Sequence, residues 1–334
     1  MTPRQIVVAN IECAHAERIG FNFTGVEGRL NDFAGAGIQT GFQEERWQDD
    51  DYEYYTDVWG NTWHRLRALS VGGEVYRPAL REWDDLDRYE LPDLDNAAYY
   101  DQARALGRSG TDRFTVGWLP GWPFAICRYL RKMEVYFVDL VAERSRIDVL
   151  HDRVTTLLER VIDRYGEAGM DGVMFCEDLG TQDRLLMPPA MCNDIFRPLY
   201  ERLTGRAHAH GMKVIQHSCG YNWELVDGLC EAGIDCLQFD QPAIYDMPAL
   251  AARLRAHRVG LFAPCDIQQV LPTGRREYIE AQTEALVRTF HAGLIAKNYG
   301  DLHGIGVDPE WDKWAYDTFV RVGTAGGGPS LARA

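Results

Sequence analysis

The chain has 334 residues, 46% hydrophobic and 25% charged, a composition that fits one large or two small globular domains and excludes a disordered chain. Its formal net charge of −15 would repel a phosphate backbone, and no Lys/Arg stripe offsets that repulsion, so nucleic acid is excluded as a partner. No apolar run approaches the roughly 20 residues of a membrane span, and Met1–Thr2–Pro3–Arg4 leads into mixed residues, unlike a secretory signal.

In chain order, Thr2 followed by Pro3 predicts a capped helix reaching Cys13. The acidic, aromatic stretch Trp47–Tyr55 reads as an elaborated loop. Phe114–Trp118 reads as an early strand, closed by a loop at Gly121–Trp122–Pro123. Between Leu150 and Tyr165, apolar residues at three- and four-residue steps predict an amphipathic helix that Gly169 stops. Asp171–Cys176 then predicts a buried strand ending in the polar Glu177–Asp178–Leu179–Gly180. A helix opened by Pro188–Pro189 runs to His210–Gly211, and the strand Met212–Gln216 ends in His217–Ser218–Cys219–Gly220. A helix over Trp223–Ala232, a strand at Asp235–Phe239, a helix through Leu250 and Leu254 and a strand at Val259–Ala263 follow.

This alternation requires a parallel sheet with right-handed crossovers. Polar residues end several successive strands and the first strand lacks a glycine-rich phosphate loop. An α/β fold is therefore expected as a closed (β/α)8 TIM barrel, not an open doubly wound sheet. The barrel is assigned to residues 1–323 as a single domain with N-terminal elaborations, and Thr324–Ala334 is expected to fray.

The eight cysteines are scattered and form no compact disulfide framework, which fits a reduced, cytoplasmic setting. His217 and Cys219 stand two residues apart at a strand end, where alternate side chains point the same way and can chelate one metal. Cys265, at the end of another strand, is the third candidate ligand; the alternative is that these groups are buried core residues. Glu177 and Asp178 can bind metal or exchange protons, or else cap the next element, while Asp240 and Asp266 also follow strands, and Gln182, Asp240 and Gln268 are candidate substrate contacts. His303 falls where the last βα loop belongs, as ligand, general acid or ordinary loop residue. Trp59 and Trp118 are candidates for the wall of an aromatic substrate pocket, with Tyr54, Tyr55 and Trp122 beside them, although aromatic residues are more often core.

Taken together, Glu177–Asp178–Leu179–Gly180–Thr181–Gln182, His217–Ser218–Cys219–Gly220 and Cys265–Asp266–Ile267–Gln268 with Leu271–Pro272–Thr273–Gly274 resemble the uroporphyrinogen decarboxylase superfamily. Tyr54–Gly60 fits the same group. The His-x-Cys pair, with no arginine-rich N-terminal substrate motif, is similar to the corrinoid-linked methyltransferase members. That resemblance implies zinc on His217 and Cys219, a small methylated donor such as an aryl methyl ether, and a corrinoid protein or a thiol as methyl acceptor. It also allows a homodimer. Some relatives take a last zinc ligand from a cysteine after the final strand, where this chain has His303, which leaves Cys265, Glu177 and His303 as candidates. The rival expectations are a metal-free decarboxylase, with Asp266 protonating a carbanion, and a non-catalytic small-molecule or corrinoid-binding barrel.

Overall fold

A computed structural model describes residues 1–68 and 72–324; of the segment expected to fray, residues 325–334 lie outside the described residues. Helix α1 (Pro3–Ile11) opens on a capping box in which Thr2 Oγ1 accepts from Gln5 N–H and Gln5 Oε1 accepts from Thr2 N–H. Strands β1 (Gly20–Asn22) and β2 (Phe33–Ala36) follow, and then an antiparallel sheet of β3 (Arg46–Gln48), β4 (Tyr52–Thr56), β5 (Thr62–Leu66) and β6 (Glu74–Arg77). Helix α2 (Asp101–Arg108) leads into β7 (Phe114–Trp118), which is followed by α3 (Pro123–Arg131), α4 (Met133–Ala142) and α5 (Arg144–Glu167). Next come β8 (Gly172–Cys176), α6 (Pro189–Ile195), α7 (Arg197–Ala209), β9 (Lys213–His217), α8 (Val226–Glu231) and β10 (Cys236–Gln238). The remaining elements are α9 (Met247–His257), β11 (Gly260–Ala263), α10 (Arg276–Phe290), β12 (Leu294–Lys297) and α11 (Pro309–Gly323).

Eight of these strands form one sheet in the order β1-β12-β11-β10-β9-β8-β7-β2, and every neighbouring pair in it is parallel. The ends meet at β1 and β2, where Asp32 N–H donates to Phe21 O at 2.7 Å and Asp32 Oδ2 accepts from Phe21 N–H at 2.8 Å. The result is the expected (β/α)8 barrel, nearly closed. Its interior is filled by Phe33, Phe114, Val116, Met174, Ile215, Cys236, Phe262 and Ile295. Val7 and Ile11 of α1 join that cluster and plug the N-terminal end. Outside the strands, helices press close: a Cβ on Gly117 would lie 2.5 Å from the Tyr165 ring of α5. Among the described residues no helix is long and apolar enough to cross a membrane.

Two local expectations are corrected. The segment Trp47–Tyr55 is not a loop: Asp49 Oδ1 accepts from Asp51 and Tyr52 N–H to build a hairpin turn, and the aromatic residues alternate along β3 and β4. Trp47, Tyr54 and His64 share one face of that sheet, with Trp47 and Tyr54 stacked at 5.6 Å. The helix expected from Pro188 to His210 breaks into α6 and α7, since Pro198 lacks the N–H that a continuous helix needs there.

Candidate active site

Strand parity decides which side chains reach the mouth. Val116, Met174, Ile215, Cys236 and Ile295 point into the barrel, so the residues two further on, Trp118, Cys176, His217, Gln238 and Lys297, point inward one layer higher. Two more steps bring Asp178, Cys219, Asp240 and Tyr299 to the same rim. Three of these groups converge: single ligand atoms of Asp178, His217 and Cys219 all lie within 4.8 Å of one another. His217 Nε2 is 3.3 Å from Cys219 Sγ and 3.5 Å from Asp178 Oδ1, and Asp178 Oδ1 accepts from Cys219 N–H at 2.8 Å.

The surrounding loop is fixed by its own hydrogen bonds. Asn222 Nδ2 donates to the carbonyls of Cys219 and Gly220, Tyr245 Oη donates to Gly220 O at 2.8 Å, and Gly220 N–H donates to Gln241 Oε1 at 3.1 Å. Gly220 has φ +80° and sits so near the β8 loop that a Cβ would lie 2.4 Å from Thr181 O, which only glycine tolerates. Ser218 Oγ accepts from Leu179 N–H, a further tie between the two loops. Asp178 is supported from α3, where Arg128 donates to its carbonyl at 3.4 Å and stands 3.8 Å from its carboxylate. Burial, reinforced by Asp178 and Asp240, pushes the Cys219 thiol up to about 12, and burial pushes Cys176 up to about 11.

The opposite parity explains which expected site residues turn away. Glu177 follows Val173 and Phe175 outward and is wholly buried against α3. Its carboxylate accepts from the N–H groups of Phe124 and Ala125 and from Tyr200 Oη, at 3.1, 2.9 and 2.8 Å. It caps α3 from across the chain. Cys265 likewise follows Ala263 outward, is 3% exposed, and bonds to Thr283 of α10; burial pushes it up to about 12. The structure therefore replaces Cys265 by Asp178 in the candidate metal set. Asp266 accepts from the N–H groups of Ala243, Gln268 and Gln269, so both of its oxygens organise its own loop.

A cavity of about 530 Å³ opens beside Cys219, walled also by Gln182, Gln241, Gln268, Tyr299 and Ile305. Gln182 and Gln268 were legible as candidates, whereas Gln241 and Tyr299 were not. Burial raises the Tyr299 hydroxyl above its usual value, helped by Asp240 and Cys219. His303 lies in an exposed turn and does not line the cavity. Trp118, 43% exposed, lies over Gly35 of β2 at the mouth, while Trp59 is packed in the core with its carbonyl accepting from Tyr89 Oη. Trp122 is core as well, stacked on Phe175 with ring centroids 3.7 Å apart. Asp240 is buried behind His217, away from the cavity wall.

The sequence profile described as uroporphyrinogen decarboxylase (URO-D) matches residues 69–310, well over half of the chain. The chain belongs to the uroporphyrinogen decarboxylase family. This family member is also similar in fold to a methyltransferase from Methanosarcina mazei, with a TM-score of 0.62 at 13% identity, over 96% of this chain and 86% of that one. A looser likeness reaches D-psicose 3-epimerase, at TM-score 0.40 and 12% identity over 73% of this chain and 88% of that one. An intracellular xylanase from Thermoanaerobacterium saccharolyticum gives 0.38 and 13%, over 60% and 71%. No curated protein matches the family member by sequence.

Proposed function

We propose that this member of the family is a zinc-dependent methyltransferase that moves a methyl group from a small neutral donor, with an aryl methyl ether as the fitting class, to a reduced corrinoid on a partner protein. The observation that carries this reading is the convergence of Asp178, His217 and Cys219, the last of which lines a cavity large enough for a small molecule. Tetrahedral zinc with bonds of about 2.0–2.3 Å needs ligand atoms roughly 3.3–3.8 Å apart. The 3.3 and 3.5 Å separations around His217 Nε2 fit that requirement. Asp178, His217 and Cys219 would hold the zinc, which would supply Lewis acidity to a leaving heteroatom.

The chain's own residues supply the rest. The cavity wall carries carboxamides, hydroxyls and apolar groups and no ionised side chain, which favours an ether over a methylated ammonium. Gln241 accepts from Gly220 N–H through Oε1 and hydrogen-bonds the Cys219 thiol, so it holds the His217–Cys219 loop against the cavity. Tyr299, whose hydroxyl stays protonated, faces the same space and can give a hydrogen bond to the departing oxygen. As the carbon–oxygen bond breaks, its electron pair remains on oxygen, which takes up a proton; the methyl carbon forms its new bond to the acceptor. The decarboxylase alternative draws less support, since both carboxylate oxygens of Asp266, the acid named for it, accept loop N–H groups.

The test is zinc analysis of the purified protein together with methyl transfer from a methoxylated aromatic to reduced cobalamin. About one zinc per chain, lost on Cys219→Ser, is expected. Methyl transfer that persists in protein unable to take up zinc would overturn the assignment.

A further inference from the structure

We infer that Asp240 sets the orientation and tautomer of the His217 ring, a positioning role that rests on the metal reading above. Asp240 is brought inward by the same parity as Cys236 and Gln238, and its side chain is only 3% exposed. One carboxylate oxygen, Oδ1, is clamped: Lys297 Nζ donates to it at 2.9 Å and Gln238 Nε2 at 3.1 Å. The other, Oδ2, faces His217 Nδ1 at 3.8 Å. On the far side of the ring, Nε2 faces Asp178 and Cys219. The imidazole thus stands between two carboxylates, and a neutral ring gives its one N–H to only one of them.

Asp240 holds the advantage for three reasons. It is buried where Asp178 is 36% exposed on its side chain, so water screens its pull less. Its clamp to Lys297 and Gln238 keeps Oδ2 from swinging away, and the lysine partners the buried carboxylate. Asp178 Oδ1 is already engaged by Cys219 N–H. A hydrogen on Nδ1 faces Asp240 Oδ2 and leaves the Nε2 lone pair on the side of Asp178 and Cys219. A carboxylate behind a metal-binding imidazole does this generally, and its loss costs about 10–100-fold in metal affinity.

Asp240→Asn reverses the pattern without changing shape. Lys297 and Gln238 both donate, so they hold the asparagine oxygen at the Oδ1 place and turn its NH₂ toward His217 Nδ1. The ring must then accept at Nδ1 and place its hydrogen on Nε2, where the metal belongs. The experiment records ¹⁵N–¹H correlation spectra of the metal-free full chain with labelled histidine, read where the His217 ring carries a single N–H, and zinc dissociation constants against a competing chelator. The wild type is expected to show hydrogen on Nδ1 of His217 and the variant hydrogen on Nε2, with zinc affinity falling about 10–100-fold. A wild-type His217 with hydrogen on Nε2, or a variant that keeps it on Nδ1, overturns the inference; the first spectrum decides even where the variant does not fold. Should the tautomers switch as stated while neither protein takes up zinc, the metal reading fails and the positioning role stands.

Discussion

Glu177 offers the most direct check on the way the β8 end is built. Complete burial pushes its carboxyl up, from 4.5 to about 7, against the pull of two amide N–H groups at the start of α3, Tyr200 Oη and nearby Arg128. The folded state then holds a proton that the unfolded chain releases near pH 4.5. The stability tied to that proton is fully present below about pH 4.5 and is lost as pH rises through about 7, because over that window unfolding releases a proton. At about 1.4 kcal/mol per pH unit the loss amounts to about 3 kcal/mol. Other carboxylates titrate too, so the measurement compares urea unfolding of the wild type with Glu177→Gln from about pH 4 to pH 9. The glutamine must aim its NH₂ at one of the three donors, which costs about 1–3 kcal/mol at every pH. Only the pH-dependent part of the difference reports on the titration. The wild type should lose about 3 kcal/mol relative to the variant between pH 4.5 and 7 and nothing further above that. A difference that stays flat across this window would show that the three donors keep Glu177 ionised throughout and refute the burial argument.

Other expectations are more local. Cys265→Ser should keep its zinc while losing about 1–2 kcal/mol from an ill-matched buried hydroxyl, whereas Cys219→Ser should lose zinc; metal analysis beside thermal melts separates the two, and loss of zinc from Cys265→Ser contradicts the parity argument. Gly117→Ala drives a methyl group into the Tyr165 ring and should destabilise by about 1–3 kcal/mol. Gly205→Ala, on an exposed helical position with open space around it, should stabilise by about 0.5–1 kcal/mol, so equal melting temperatures for these two variants would count against the packing described. Tyr299→Phe should slow methyl transfer by at least about 100-fold with zinc content unchanged; an unaltered rate would remove Tyr299 from the proton step.

Much of this protein was open to sequence reasoning because helix and strand periods are local. The run of apolar steps from Leu150 to Tyr165 and the short buried strands ending in Cys176, His217 and Ala263 identified the βα units and hence the barrel. The His-x-Cys spacing placed two candidate ligands on one side of one strand, and the structure keeps them 3.3 Å apart. Parity could also have moved Cys265 and Glu177 out of the site and Lys297 and Tyr299 toward it, since it follows from counting in twos from Phe262, Met174 and Ile295. What counting along a strand does not supply is distance between strands. That Asp178 completes the candidate metal set, that Asp240 with Lys297 stands behind His217, and that Gln241 and Tyr299 share a cavity with Cys219 all depend on the stagger of neighbouring strands and the paths of their loops. Those are set by packing around the closed ring, where these residues from four different βα units meet, and no single stretch of chain encodes them.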